Sequence, residues 1–195
     1  MCFFLQRYII YYMIGNKIVE EIVLKMKNGF ADSNNFFSET RDVFTARIQS
    51  YVLSTKKYLE SAVIGEIGNN TFDHNFIFDD NYTRGVYCNL SYDRYIILVD
   101  YGRGIKQSLI PVIPAINSDI EALEIAFTKQ VSGRSPEQRG NGLKFVSETI
   151  RQNKWHLFFQ SGNASCSIDK NGVIFNEEIT SLIGCLAILD FNEGD

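Results

Sequence analysis

The stretch Tyr95-Ile96-Ile97-Leu98-Val99-Asp100-Tyr101-Gly102-Arg103-Gly104-Ile105 decides the fold. Tyr95 to Val99 are residues that favour strands, and they run straight into a carboxylate followed by two glycines at alternate positions. Such a strand carries Asp100 to its own end, while Gly102 and Gly104 let the chain turn sharply and bring its backbone close to a ligand. A buried aspartate that accepts from an exocyclic amine selects adenine, because a base lacking that donor leaves the carboxylate unpaired. The same residues also suit a strand-to-loop turn in which Asp100 is only a cap, and the motif alone does not separate the two.

Just before it, residues 85–90 form a second β-rich run, and the polar Ser91, Tyr92, Asp93 and Arg94 between the two predict a hairpin. Residues 118–130 predict a helix with Ser118 as N-cap and Glu121 three positions on, the reciprocal capping box, and with Ile120, Leu123 and Phe127 on its apolar side. Another helix is expected over residues 141–152. Strands follow over 155–160, 164–168, 173–175 and 182–191, with Asn171-Gly172 as a tight turn. Upstream, residues 16–28 carry Ile18, Ile22 and Met26 at helical spacing and stop at Gly29, and a helical region covers 38–74 with a bend near Ser54 and Thr55. Helices followed by hairpins make an α+β, two-layer sandwich: a mixed, mostly antiparallel sheet covered by helices on one face and mostly wet on the other.

Two more stretches carry chemistry. In Gly65-Glu66-Ile67-Gly68-Asn69-Asn70-Thr71-Phe72-Asp73-His74-Asn75 the spacing puts Glu66, Asn70 and Asp73 on one helix face. An amide oxygen suits Mg²⁺, which takes oxygen ligands and is often completed by phosphate, and a carboxylate one turn away can orient or deprotonate an attacking water or hydroxyl. A solvated helix end rich in Gly and Asn fits this stretch equally well. In Gly133-Arg134-Ser135-Pro136-Glu137-Gln138-Arg139-Gly140-Asn141-Gly142-Leu143, glycines and Arg139 lead into a helix start whose unpaired N–H groups suit phosphate, although a Gly-rich connector has the same composition.

The 195 residues, 45% hydrophobic and 22% charged, suit one folded domain with an appendage, and the net charge of -4 argues against a broad nucleic-acid surface. Cys2, Cys88, Cys166 and Cys185 lie far apart with no C-x-x-C pair, and only His74 and His156 accompany them, so they read as reduced thiols of a cytoplasmic protein. The apolar start, residues 1–14, is interrupted by Arg7, is too short to cross a bilayer and lacks the marks of a secretory signal. With the helix after it, this segment is a candidate packing or homodimerisation element.

Taken in order, Glu66-x-x-x-Asn70, Asp100-x-Gly102-x-Gly104 and Gly140-x-Gly142-Leu143 resemble the N-box and the two glycine boxes of the GHKL superfamily. That is the histidine kinase-like ATP-binding fold of histidine kinases, type II topoisomerases, mismatch-repair ATPases and anti-sigma-factor kinases. The resemblance runs over roughly residues 58–191. It implies Glu66 as general base, Asn70 as Mg²⁺ ligand, Asp100 as the adenine-binding carboxylate, and Gly102, Gly104, Gly140 and Gly142 as backbone contacts to ATP. Asp73, Ile105, Asn141 and Leu143 accompany them, with Arg134 or Arg139 on the γ-phosphate. It also divides the chain into residues 1–37, the N-terminal apolar segment and helix, and 38–195, the ATP-binding domain. Within the latter, residues 105–139 hold Pro111, Pro114 and Pro136 and a capped helix, and resemble the ATP lid.

One departure stands out. The last strand of the family often carries a Gly-Thr pair whose hydroxyl helps hold adenine; Gly184-Cys185 stands here, and a thiol is the weaker partner. No phosphoacceptor histidine precedes the N-box and few residues follow Phe191, so the resemblance is to small stand-alone proteins like the anti-sigma-factor kinases. The implied function is Mg-dependent ATP binding with slow hydrolysis, or phosphotransfer to a regulatory protein partner. The alternatives are an ATP sensor that binds without catalysis and a scaffold that takes no nucleotide.

Overall fold

The computed structural model describes residues 36–74, 85–90, 95–129 and 142–192. The apolar start and the helix expected at 16–28 lie outside them, as do Arg134, Arg139, Gly140 and Asn141. In chain order the elements are β1 (Phe37–Ser38), α1 (Arg41–Thr55), α2 (Tyr58–His74), β2 (Val86–Asn89), β3 (Tyr95–Asp100), α3 (Gly104–Leu109), α4 (Asp119–Thr128), α5 (Gly142–Gln152), β4 (His156–Asp169) and β5 (Gly172–Asp190). The architecture is α+β. Its five strands run in the order β1-β2-β3-β5-β4, every neighbouring pair antiparallel.

The bend expected near Ser54 and Thr55 is made by the next residue. Lys56 adopts left-handed backbone (φ 60°), its N–H closing the last turn of α1 on Val52 O, and α2 starts afresh at Tyr58. The expectation of helix from residue 38 is corrected at its start, where Phe37 and Ser38 pair with Tyr87 and Val86 as an edge strand. α1 then opens at Thr40, whose Oγ1 accepts the Val43 N–H at 3.4 Å. The two helices meet at Phe44 and Gly68: a Cβ on Gly68 would lie 2.2 Å from the tip of the Phe44 ring, so that glycine lets α1 approach α2.

The predicted hairpin is present as β2 and β3, which pair from Val86↔Asp100 to Asn89↔Ile97. The four short strands expected after α5 are instead two long ones that turn at Asn171-Gly172. The break read at Gly162-Asn163 is a bulge within one ladder. Gly162 takes a φ of +61°, a Cβ there would lie 2.3 Å from Asp119 Oδ2, and that same oxygen accepts the Asn163 N–H at 3.1 Å.

Val63, Ile64 and Ile67 of α2, Leu123 and Phe127 of α4, and Leu143, Val146 and Ile150 of α5 pack on Ile96, Leu98, Leu157, Phe159, Ala187 and Leu189 of the sheet. The opposite face is a second apolar cluster of Phe37, Tyr87, Ile97, Val99, Phe158, Leu182, Leu186 and Ile188. Each of these is 9% exposed or less, which corrects the expectation that this face is wet. Strands buried on both faces lose simple polar alternation, and β3 is apolar from Ile96 through Val99.

α4 lies within the stretch expected as a lid. Its capping box forms, with Ser118 Oγ accepting the Glu121 N–H at 3.1 Å, while Glu121 Oε2 reaches back to the N–H of Asn117 at 2.9 Å. But Leu123 and Phe127 are buried, and the Phe127 ring stands edge-on to Phe159 at 5.2 Å. This helix is therefore part of the core, and residues 130–141 of the expected lid lie outside the described residues. Leu123→Ala is accordingly expected to cost about 3 kcal/mol, measured by denaturant unfolding; a loss under about 0.5 kcal/mol, the scale of a surface change, would show that α4 is not part of the core. Among the described residues no helix is long and apolar enough to cross a membrane.

Candidate functional site

Side chains alternate along β3, so Asp100 falls on the same side as Ile96 and Leu98, toward the helices. There Thr71 of α2 donates its hydroxyl to Asp100 Oδ2 at 3.1 Å, and the Gly102 N–H donates to Oδ1 at 3.0 Å. Across the ladder Asp100 faces Cys185, which bonds it through both backbone and thiol. Burial pushes the Asp100 carboxyl up from 3.8 to about 6, against the Gly102 N–H, the Thr71 hydroxyl and Cys185, which all favour the ionised form. Burial first, then the charge of Asp100, raises the Cys185 thiol and keeps it protonated.

Ser161 of β4 ties this strand end to the first glycine turn. Its Oγ accepts the Ile105 N–H at 3.0 Å and donates to Gly184 O at 3.0 Å, and Cys185 Sγ lies 3.7 Å from it. Gly104 (φ +76°) closes over the serine, since a Cβ there would lie 2.8 Å from Ser161 Oγ. Gly184 (φ +88°) lies on Asp100 itself: a Cβ would come within 2.2 Å of its backbone oxygen. Two left-handed glycines thus bring three chain segments together around one carboxylate.

On α2, Glu66 is exposed and Asn70, one turn on, is half-buried. Glu66 reaches the start of α5, where its Oε2 lies 2.5 Å from the position of a Cβ on Gly142. Asp73 is ion-paired with Arg41 at the start of α1, a partner the sequence did not announce. On the same helix the Oδ1 of Asn69 is buried with no hydrogen-bond partner. Among the described residues no group of three or more His, Cys, Asp or Glu side chains is placed to hold a metal ion.

No family model and no curated protein matches the chain. Among solved structures it is similar to the 43K ATPase domain of Thermus thermophilus gyrase B, determined in complex with an aminocoumarin. The identity is 18% and the TM-score 0.40, over 66% of this chain and 32% of that one. The chain therefore spans about a third of the length of that structure.

Two contacts among the described residues link the three stretches singled out in the sequence. Thr71 joins the first to Asp100 of the second, and Glu66 joins the first to Gly142 of the third. Two of the expected residues have partners within the protein. Ile105 gives its N–H to Ser161 and packs its side chain on the core, and the Leu143 side chain is buried between α5 and the sheet. Thr71 and Ser161 were missed. Thr71 stood inside the quoted motif with nothing to mark it, and Ser161 became legible only through the register Ser161↔Cys185.

Proposed function

We propose that this chain binds ATP with Mg²⁺ as a GHKL-type domain does, and that Glu66 drives slow hydrolysis, or phosphotransfer to a regulatory protein partner. The observation that carries the reading is that α2 touches both glycine-bearing segments, Thr71 bonding Asp100 and Glu66 lying against Gly142. Asp100 Oδ1 accepts the Gly102 N–H and Oδ2 the Thr71 hydroxyl, and an incoming amine would share the carboxylate with these donors and with Cys185. One acceptor suits the single exocyclic amine of adenine. The exposed Glu66 carboxylate, beside the start of α5, would orient or deprotonate a water near the terminal phosphate. Asn70 would supply the amide oxygen for Mg²⁺, and the ion when bound would neutralise phosphate charge.

The test is calorimetry with Mg-ATP and release of labelled phosphate. Glu66→Ala should keep binding and lose about 100-fold in turnover. Equal turnover by wild type and variant, with binding intact, would leave an ATP sensor without catalysis. A second reading, a scaffold that takes no nucleotide, draws on the partners Asp100 already has in Thr71, Gly102 and Cys185. Absence of heat and of any thermal shift with Mg-ATP would select it.

A further inference from the structure

Gly142 opens α5 as a helical residue, and inside helices alanine is favoured over glycine by up to about 1 kcal/mol, so the backbone does not call for glycine. What the position lacks room for is a carboxylate's neighbour. Beyond its chain neighbours and the backbone of its own helix, the three heavy atoms nearest to a Cβ placed there all belong to Glu66: Oε2 at 2.5 Å, the carboxyl carbon at 3.5 Å and Cβ at 4.0 Å. Because the closest is the tip of a flexible side chain, a methyl group at Gly142 displaces the carboxylate and leaves the backbone where it is. By contrast Gly65, next to Glu66 on α2, has nothing within 4 Å of its own missing Cβ.

We infer that Gly142 is a positioning residue for Glu66: the missing side chain fixes where the carboxylate sits, and this is its main role rather than a backbone approach to phosphate. The inference rests on Glu66 being the base. Displacing a reacting group by about 1 Å costs on the order of 100-fold in rate, so the effect falls on turnover. Nucleotide affinity depends on Asp100 and the glycine turns around it, and it is spared.

The experiment compares wild type, Gly142→Ala and Gly65→Ala for Mg-ATP affinity by calorimetry and for turnover with its pH profile. A second readout, on the nucleotide-free protein, is the ¹³C carboxyl resonance of Glu66, assigned with Glu66→Gln. Gly142→Ala should fold, bind Mg-ATP within about threefold of wild type, lose about 10- to 100-fold in kcat, and shift the Glu66 resonance. Gly65→Ala should do none of the last two. In the Gly142→Ala background the shorter acid of Glu66→Asp should cost less than it does in wild type, because the two changes share one space. Unchanged kcat and resonance in Gly142→Ala overturn the inference, and so does an affinity loss that accounts for the whole rate effect. Wild type that binds without turnover removes the base and the inference with it, while nucleotide binding stands. Wild type that does not bind at all overturns the function itself.

Discussion

Asp100→Asn should lower the affinity for Mg-ATP by about a thousandfold while the protein stays folded. The Gly102 N–H at Oδ1 requires an acceptor, so an amide at this position keeps its oxygen there and turns its NH₂ to the place of Oδ2. The Thr71 hydroxyl rotates and accepts, which preserves the internal hydrogen bond. The adenine amine has no such freedom, and donor meets donor. Inosine triphosphate, whose ring carries an oxygen where adenine has the amine, should be rejected by wild type, and the preference for ATP over it should collapse in the variant. Calorimetry with the two nucleotides reads both results, and retention of tight ATP binding by Asp100→Asn would remove Asp100 from the adenine site.

The same substitution has a signature in stability. The folded carboxyl titrates at about 6, above its ordinary 3.8, so between those values the folded state binds more protons than the unfolded one. The contribution of Asp100 to stability is therefore complete below pH 3.8 and is lost as pH rises through about 6. A displacement of this size amounts to about 3 kcal/mol. Denaturant unfolding at pH 4 and at pH 7 should show wild type losing about that much relative to Asp100→Asn; a difference that stays flat with pH would mean that Asp100 is not buried as described.

Much of this arrangement was legible because local chemistry and tertiary structure agree. The hairpin of β2 and β3, the capped start at Ser118 and the strand-end position of Asp100 each follow from a few neighbouring residues. What was not legible depends on partners distant in sequence. Phe37 and Ser38 are strand only because Tyr87 and Val86 offer a ladder, and no two-residue pattern announces that. The polar run from Asn176 to Ser181 looked like a break, yet backbone pairing carries β5 through it, and Glu178 is buried against the Ser165 hydroxyl. Within the insertion between the glycine boxes, Leu123 and Phe127, one turn apart, signal the core face that α4 turns to the sheet. The meeting of Glu66 with Gly142 had no local signal at all; order along the chain and resemblance suggested it, and packing of α2 against α5 brings it about.

Gly184→Ala should be the most damaging small substitution at the site, costing about 4 kcal/mol or more and lowering the melting temperature by roughly 10 °C. Two costs add. A φ of +88° is strained for any residue with a side chain, and the added carbon would stand 2.2 Å from the Asp100 backbone oxygen and 2.8 Å from its Oδ1. Neither atom can retreat, because Asp100 is paired with Cys185 on one side and with Val86 on the other, and the Gly102 N–H holds Oδ1. Gly172→Ala separates the costs: it also has positive φ (+148°), but nothing lies within 4 Å of its missing side chain, so it should lose only the backbone share of about 1–2 kcal/mol. Equal losses at the two glycines would show that β5 yields at Gly184. A larger loss at Gly184, with nucleotide affinity falling in the fraction that still folds, would show that the left-handed residue is what lets the last strand close on the Asp100 carboxylate.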